Sequence, residues 1–118
     1  MRSGTFVILH LVNPTEKFWG LLEELLPMGI TLRGISVSSF DDWAGQVARG
    51  ENDEESGLGL VTMFVPLFRV ERMFRDEQVG VVESYRQRFA RRVGRRVEDF
   101  LGADWKEVDS DLPDGAVS

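Results

Sequence analysis

Residues 5 to 12, Thr-Phe-Val-Ile-Leu-His-Leu-Val, are apolar on both alternating sets, and a strand of that kind needs cover on two faces. The same holds for residues 30 to 38, where Ile30 and Leu32 share one parity and Ile35 and Val37 the other, and for the nearly unbroken run Leu58 to Leu67. At roughly 25 cal/mol per Å², a bare sheet face of several hundred Å² costs on the order of 10 kcal/mol, as much as a whole domain's stability. Whatever this chain folds into must cover both faces.

The segments between these runs supply the candidates. Asn13 can cap a helix, Pro14 suits a first helical turn and Glu16 stands at the capping-box position. Phe18, Leu21, Leu22, Leu25 and Leu26 follow at helical spacing and Pro27 and Gly29 stop the run, so the spacing predicts a helix over 14–26. The change of parity across Arg33-Gly34 is met either by a bulge at Gly34 or by burial of both faces. Residues 38 to 57 form a long excursion with an apolar base: Ser39 caps a short helix carrying Phe40, Trp43, Ala44 and Val47, and Phe40 and Trp43 would anchor the loop. Its acidic tip, Glu51 to Glu55, lacks the ligand spacing of a Ca²⁺ loop.

Pro66 makes the end of the third strand an edge or the point where pairing stops. Val70, Met73 and Phe74 then suggest a short helix, and Val82, Tyr85, Phe89, Val93, Val97 and Phe100 a longer one ending at Gly102. Trp105 to Leu112 alternate weakly as a last strand, and 113–118 read as a frayed tail. The 118 residues make one domain, with its core over about 5–112.

With no cysteine, disulfides, thiolate metal sites and thiol catalysis are excluded. The apolar run before Asn13-Pro14 is too short to span a bilayer, so the expected setting is cytoplasmic with no membrane partner. A net charge of −6 argues against broad nucleic-acid binding.

Positive charge is concentrated in one place. Arg86, Arg88, Arg91, Arg92, Arg95 and Arg96 fall within eleven residues. At about 100° per residue, Arg88, Arg91 and Arg95 lie opposite the apolar stripe, Arg92 and Arg96 flank it, and Arg86 falls inside its arc. A charge there must be paired, reach a cleft or meet an interface. Two readings follow: Arg86 with Arg92 or Arg96 presents an anion site, or Arg86 pairs with Glu83, Glu98, Asp99 or the acidic 104–114 segment. Arg33, beside the parity change, is a second charge in a strand.

The order strand, helix, strand, long loop, strand, helix, weak strand gives an α+β class. It is a ferredoxin-like sheet of three to four strands, with two main helices on one face and a long loop carrying a short helix between strands 2 and 3. Self-association as a dimer or trimer would cover the other face. The long insertion resembles that of PII-like signalling proteins, a resemblance of topology spanning residues 5 to about 112. It implies a regulatory homo-oligomer with a mobile loop, binding adenine nucleotides or other small anions at clefts between subunits. Gly102-Ala103-Asp104-Trp105-Lys106 lies where that family carries a phosphate-contacting turn, which makes Lys106 a ligand contact beside Arg86, Arg92, Arg96 and Arg33. Dimeric ferredoxin-like domains with other roles fit the same order.

His10, the one histidine, is either a packed strand residue or a catalytic base. The pairs Asp41-Asp42 and Glu23-Glu24 point about 100° apart on a helix and do not converge. No metal site is indicated, and the cofactor is left open. The function expected is a small regulatory domain that responds to an anionic metabolite or a protein partner through the 38–57 loop and an interface cleft. The alternatives are a small enzyme using His10 or a carboxylate, and an interaction subunit without a small ligand.

Overall fold

The computed structural model describes residues 1–51 and 59–101. Its strands are β1 (Phe6–Leu11), β2 (Glu16–Leu26), β3 (Gly29–Ser36), β4 (Val61–Pro66) and β5 (Val70–Arg75), and its α-helices are α1 (Phe40–Ala48) and α2 (Tyr85–Val93). The sheet order is β4-β3-β2-β1-β5, and every neighbouring pair is antiparallel.

The α+β class holds, but the sheet has five strands rather than three or four. The residues expected as the first helix form β2, so the ferredoxin-like order, with a helix between the first two strands, is not the order of this chain. The reason lies in Trp19 and Gly20. Both are buried and both fall between the positions of the apparent helical stripe, because β2 is the central strand and is covered on two faces from Phe18 to Leu22. Asn13 and Pro14 make the β1–β2 turn instead of a helix cap; Asn13 takes φ 57 there, a left-handed conformation that Asn tolerates. Of the two readings of the parity change, a bulge at Gly34 is ruled out, since Gly34 pairs in register with Gly20 and the shift falls between Leu22 and Glu24. Burial of both faces accounts for the parity change. Val70 to Phe74 is strand rather than helix.

β2 is eleven residues long, and straight it would separate its two ends by more than about 30 Å. Yet the Leu67 N–H donates to the Met28 carbonyl at 2.9 Å, and the Val12 N–H to the Arg69 carbonyl at 2.8 Å. Two residues apart in the chain, these contacts hold the two hairpin tips within a short reach of each other. The sheet must therefore curl. Its inner face closes on Val7, Leu9, Leu11, Leu22, Ile30, Leu32 and Val65, a core that the sheet makes by itself. Its outer face carries Phe6, Trp19, Leu21 and Ile35, which pack under Phe40, Trp43 and Ala44 of α1 and Phe89 of α2. Curling covers the face that self-association was expected to cover.

Arg69 pins the curl, donating to the carbonyls of Val12 at 3.1 Å and Pro14 at 2.7 Å and to Glu16 Oε1 at 2.7 Å. The short helix expected in the excursion is α1, with the apolar face read from the sequence; the excursion joins β3 to β4. α2 stops earlier than Gly102, because Gly94 takes φ 82 and caps it, after which Val97–Phe100 make a 3₁₀ turn. The expected last strand and the 113–118 tail lie outside the described residues. Among the described residues no helix is long and apolar enough to cross a membrane.

Candidate functional site

The arginines of the block are paired within the chain. Arg86 forms an ion pair with Glu98, and Arg96 Nη2 meets the same Oε2 at 2.8 Å. The Glu98 side chain is only 5% exposed. The Arg86 guanidinium also lies 4.8 Å from the Phe6 ring centre. Burial alone would raise the Glu98 carboxyl, but hydrogen bonds from Arg96, its own backbone and Arg86 outweigh that and hold it below the usual carboxylate range. Arg86 and Arg96 converge on an anion supplied by the chain itself, which is the salt-bridge alternative for Arg86.

The other four are paired as well, three of them from α2 and Arg95 from the segment after it. Arg92 donates to the Asp41 carbonyl at 2.8 Å, and Arg88 reaches the Asp41 carboxylate at 3.3 Å. Arg91 pairs with Glu83 at 2.6 Å and Arg95 with Asp99 at 3.6 Å. Arg92 thus belongs to the α1 contact rather than to Arg86. Arg33 lies on the outer face of β3, opposite Leu21 and Thr62, and its buried Nε has no hydrogen-bond partner among the described residues. Lys106 lies outside the described residues. Phe40 and Trp43 are fully buried and hold α1 against Trp19 and Phe89.

A cleft of about 350 Å³ opens elsewhere, where the outer face of β1 and β5 meets the start of α2. Its apolar walls are Ile8, Phe74, Val79, Val82 and Tyr85, and His10, Asp76, Glu77 and Glu83 line its rim. Asp76 is already used: its carboxylate accepts from Trp19 Nε1 at 3.0 Å and from the backbone N–H groups of Tyr85 and Arg86 at 2.8 and 3.0 Å. Ser84 is used as well, since its Oγ caps α2 by accepting from the Gln87 N–H at 3.1 Å. Neither is free to act as a nucleophile or a base.

His10 links this cleft to two cations on the neighbouring strands. It pairs across the sheet with Lys17 on β2 and with Arg72 on β5, and directly opposed residues share a face with Cβ atoms about 5 Å apart. One row of the outer face therefore reads Arg72, His10, Lys17. Phe74 meets the His10 ring edge-on at 5.0 Å and carries the Arg72 guanidinium 6.0 Å from its ring centre, so the row is continuous with the apolar wall. Burial, then Lys17 and Arg72, lower the His10 pKa from its ordinary 6.5, with Glu71 opposing.

Sequence reasoning missed this row because it placed Lys17 and Arg72 on helices. Only the register of β1 with β2 and β5 brings residues 10, 17 and 72 together. Among the described residues, no group of three or more His, Cys, Asp or Glu is placed to hold a metal ion. No protein family, curated protein or solved structure matches this chain.

Proposed function

We propose that this protein is a binding domain for a small amphipathic anion. The apolar body of the ligand enters the cleft against Ile8, Phe74, Val82 and Tyr85, and its carboxylate or phosphate lies over Arg72, His10 and Lys17. The observation that carries this reading is the double membership of His10, which lines the cleft and stands in the middle of the cationic row. A planar guanidinium and an ammonium on either side of an imidazole suit a carboxylate or phosphate. Catalysis is the weaker reading, since Asp76 and Ser84, the groups that would assist His10, serve structural hydrogen bonds.

The regulatory, ligand-binding role expected from the sequence is kept, while the anion contacts move from α2 to the sheet. Phenyl phosphate, which has both parts, should raise the Tm by several °C at ten times its Kd, the equivalent of about 1.4 kcal/mol. Inorganic phosphate and benzyl alcohol, each with one part, should do much less. The Lys17→Gln/Arg72→Gln variant should lose the response. If phenyl phosphate shifts the Tm of wild type and variant alike, or of neither, the assignment fails.

A protein partner at the same cleft is the second reading. It is favoured by the turn beside it, where Val79 and Val82 exchange two backbone hydrogen bonds at 3.0 Å and Val81 is fully exposed. No small probe would then stabilise the chain.

A further inference from the structure

The two outer strands of the sheet are protected unequally. β5, with sequence Val-Glu-Arg-Met-Phe-Arg, carries Glu71, Arg72 and Arg75 along its edge, and charges of that kind keep other strands away. β4, with sequence Val-Thr-Met-Phe-Val-Pro, has no charged side chain at all. Among the described residues nothing pairs with its outer side.

The backbone groups that face outward follow from one hydrogen bond. The Leu67 N–H donates to the carbonyl of Met28, one step beyond the Gly29–Pro66 pair in the β3–β4 register, and alternate residues of a strand direct their backbone groups to the same side. Val65 and Met63 therefore face β3, leaving the N–H and C=O groups of Thr62 and Phe64 directed at the open edge. Apolar surface surrounds them: Phe64 is 54% exposed, Val61 55%, Met28 81%, Leu67 45% and Phe68 85%. With Leu26, 42% exposed, these side chains make the open edge largely apolar, and exposed apolar surface of that kind marks a contact with another chain.

We infer that β4 is the contact of a two-fold dimer, in which β4 of a second copy pairs antiparallel with it. Because β4 is uncharged, pairing with its own copy sets no like charges against each other. Two hydrogen-bonded pairs form, Thr62 with the partner's Phe64 and Phe64 with the partner's Thr62. The two-fold axis then passes at Met63, which directly opposes its own copy. The inference is independent of the ligand cleft, which lies across the sheet at the β5 side.

The register makes the test sharp. Met63 would face the partner's Met63 in a non-hydrogen-bonded pair, where Cα atoms stand about 4.5 Å apart, within the range a disulfide spans. The chain has no cysteine of its own, so a single Met63→Cys substitution reports one contact. Under mild oxidation M63C should form a covalent dimer at least ten times faster than a Val79→Cys control on the exposed turn by the cleft. Light scattering of the full chain should give the mass of two copies. Thr62→Pro, which removes an outward N–H and leaves the bonds to β3 intact, should give one copy with an unchanged circular dichroism spectrum. A wild-type mass of one copy up to about 100 μM, well above the micromolar Kd a stable interface reaches, would overturn the inference, as would equal cross-linking of M63C and V79C. Should T62P fail to fold, the cross-linking rates decide alone.

Discussion

Trp19 Nε1 donates a buried hydrogen bond to Asp76 Oδ2 at 3.0 Å, across 57 residues of sequence. The same carboxylate accepts the first two free N–H groups of α2, so one side chain fastens the middle strand of the sheet to the helix that covers it. Asp76→Asn leaves one acceptor oxygen for three donors. We expect it to cost about 2–3 kcal/mol, which lowers the Tm by roughly 10 °C. Thermal unfolding followed by tryptophan fluorescence measures both the loss and the changed surroundings of Trp19; a change under about 0.5 kcal/mol would show that the three bonds contribute little.

Gly20 and Gly34 face each other where the sheet bends. A Cβ on Gly20 would sit 2.3 Å from the Arg33 carbonyl oxygen, and one on Gly34 would sit 2.2 Å from that of Trp19. Both obstacles are backbone, so relief requires the strands to part. Gly20→Ala should destabilise by about 1–3 kcal/mol or more. Gly50→Ala, at a site with no atom within 4 Å but with φ +75, should cost only about 1 kcal/mol of backbone strain. Denaturant titration of the two variants separates crowding from conformation.

How much of this was legible depended on whether an element has one covered face or two. α1 shows one apolar face, Phe40, Trp43, Ala44 and Val47, and its pattern reads correctly because the opposite side is solvent. β2 is covered on both sides, so its apolar residues carry no period of their own. Glu23 and Glu24 at the bulge then interrupt the run in a way that imitates a helix. Trp19 and Gly20 were the available signal, as neither belongs on the polar face of a surface helix. α2 was legible down to Tyr85, Phe89 and Val93, and Arg86 was rightly singled out as the arginine in need of a partner. Its partner, Glu98, lay among the named candidates. The row Arg72, His10, Lys17 was not legible, because the turn over 12–15 sets His10 against Lys17 only once Glu16–Leu26 is read as a strand, and Arg72 comes from a strand far along the chain.

Glu98 joins two guanidinium groups and is nearly buried, so its removal leaves both arginines without their shared anion. Each is partly exposed and regains water, which limits the cost. We expect Glu98→Gln to destabilise by about 1–3 kcal/mol at pH 7. Because the folded-state pKa of Glu98 lies below the ordinary 4.5, its contribution is complete above that pH and is lost as the pH falls through the folded value. Wild type and E98Q should therefore converge in stability in acid. A constant difference from pH 7 down to pH 3 would contradict the account.

His10 gives the opposite kind of group the same direction of pH dependence. Its folded-state pKa lies below 6.5 because burial and then the charges of Lys17 and Arg72 disfavour the imidazolium. In the window between that folded value and 6.5 the unfolded chain binds more protons, so stability contributed by neutral His10 is complete above about pH 6.5 and declines as the pH falls through the folded value. As the chain's one histidine, it can be titrated without overlap by NMR. Lys17→Gln and Arg72→Gln should each raise its pKa, since each removes a like charge from one side of the row. A bound phosphate group should raise it further, because an anion over the row favours the imidazolium. If His10 titrates at or above 6.5 in the free protein, the neighbouring cations do not act on it. If its pKa is low but does not move with phenyl phosphate, the row is cationic and the ligand does not lie over it.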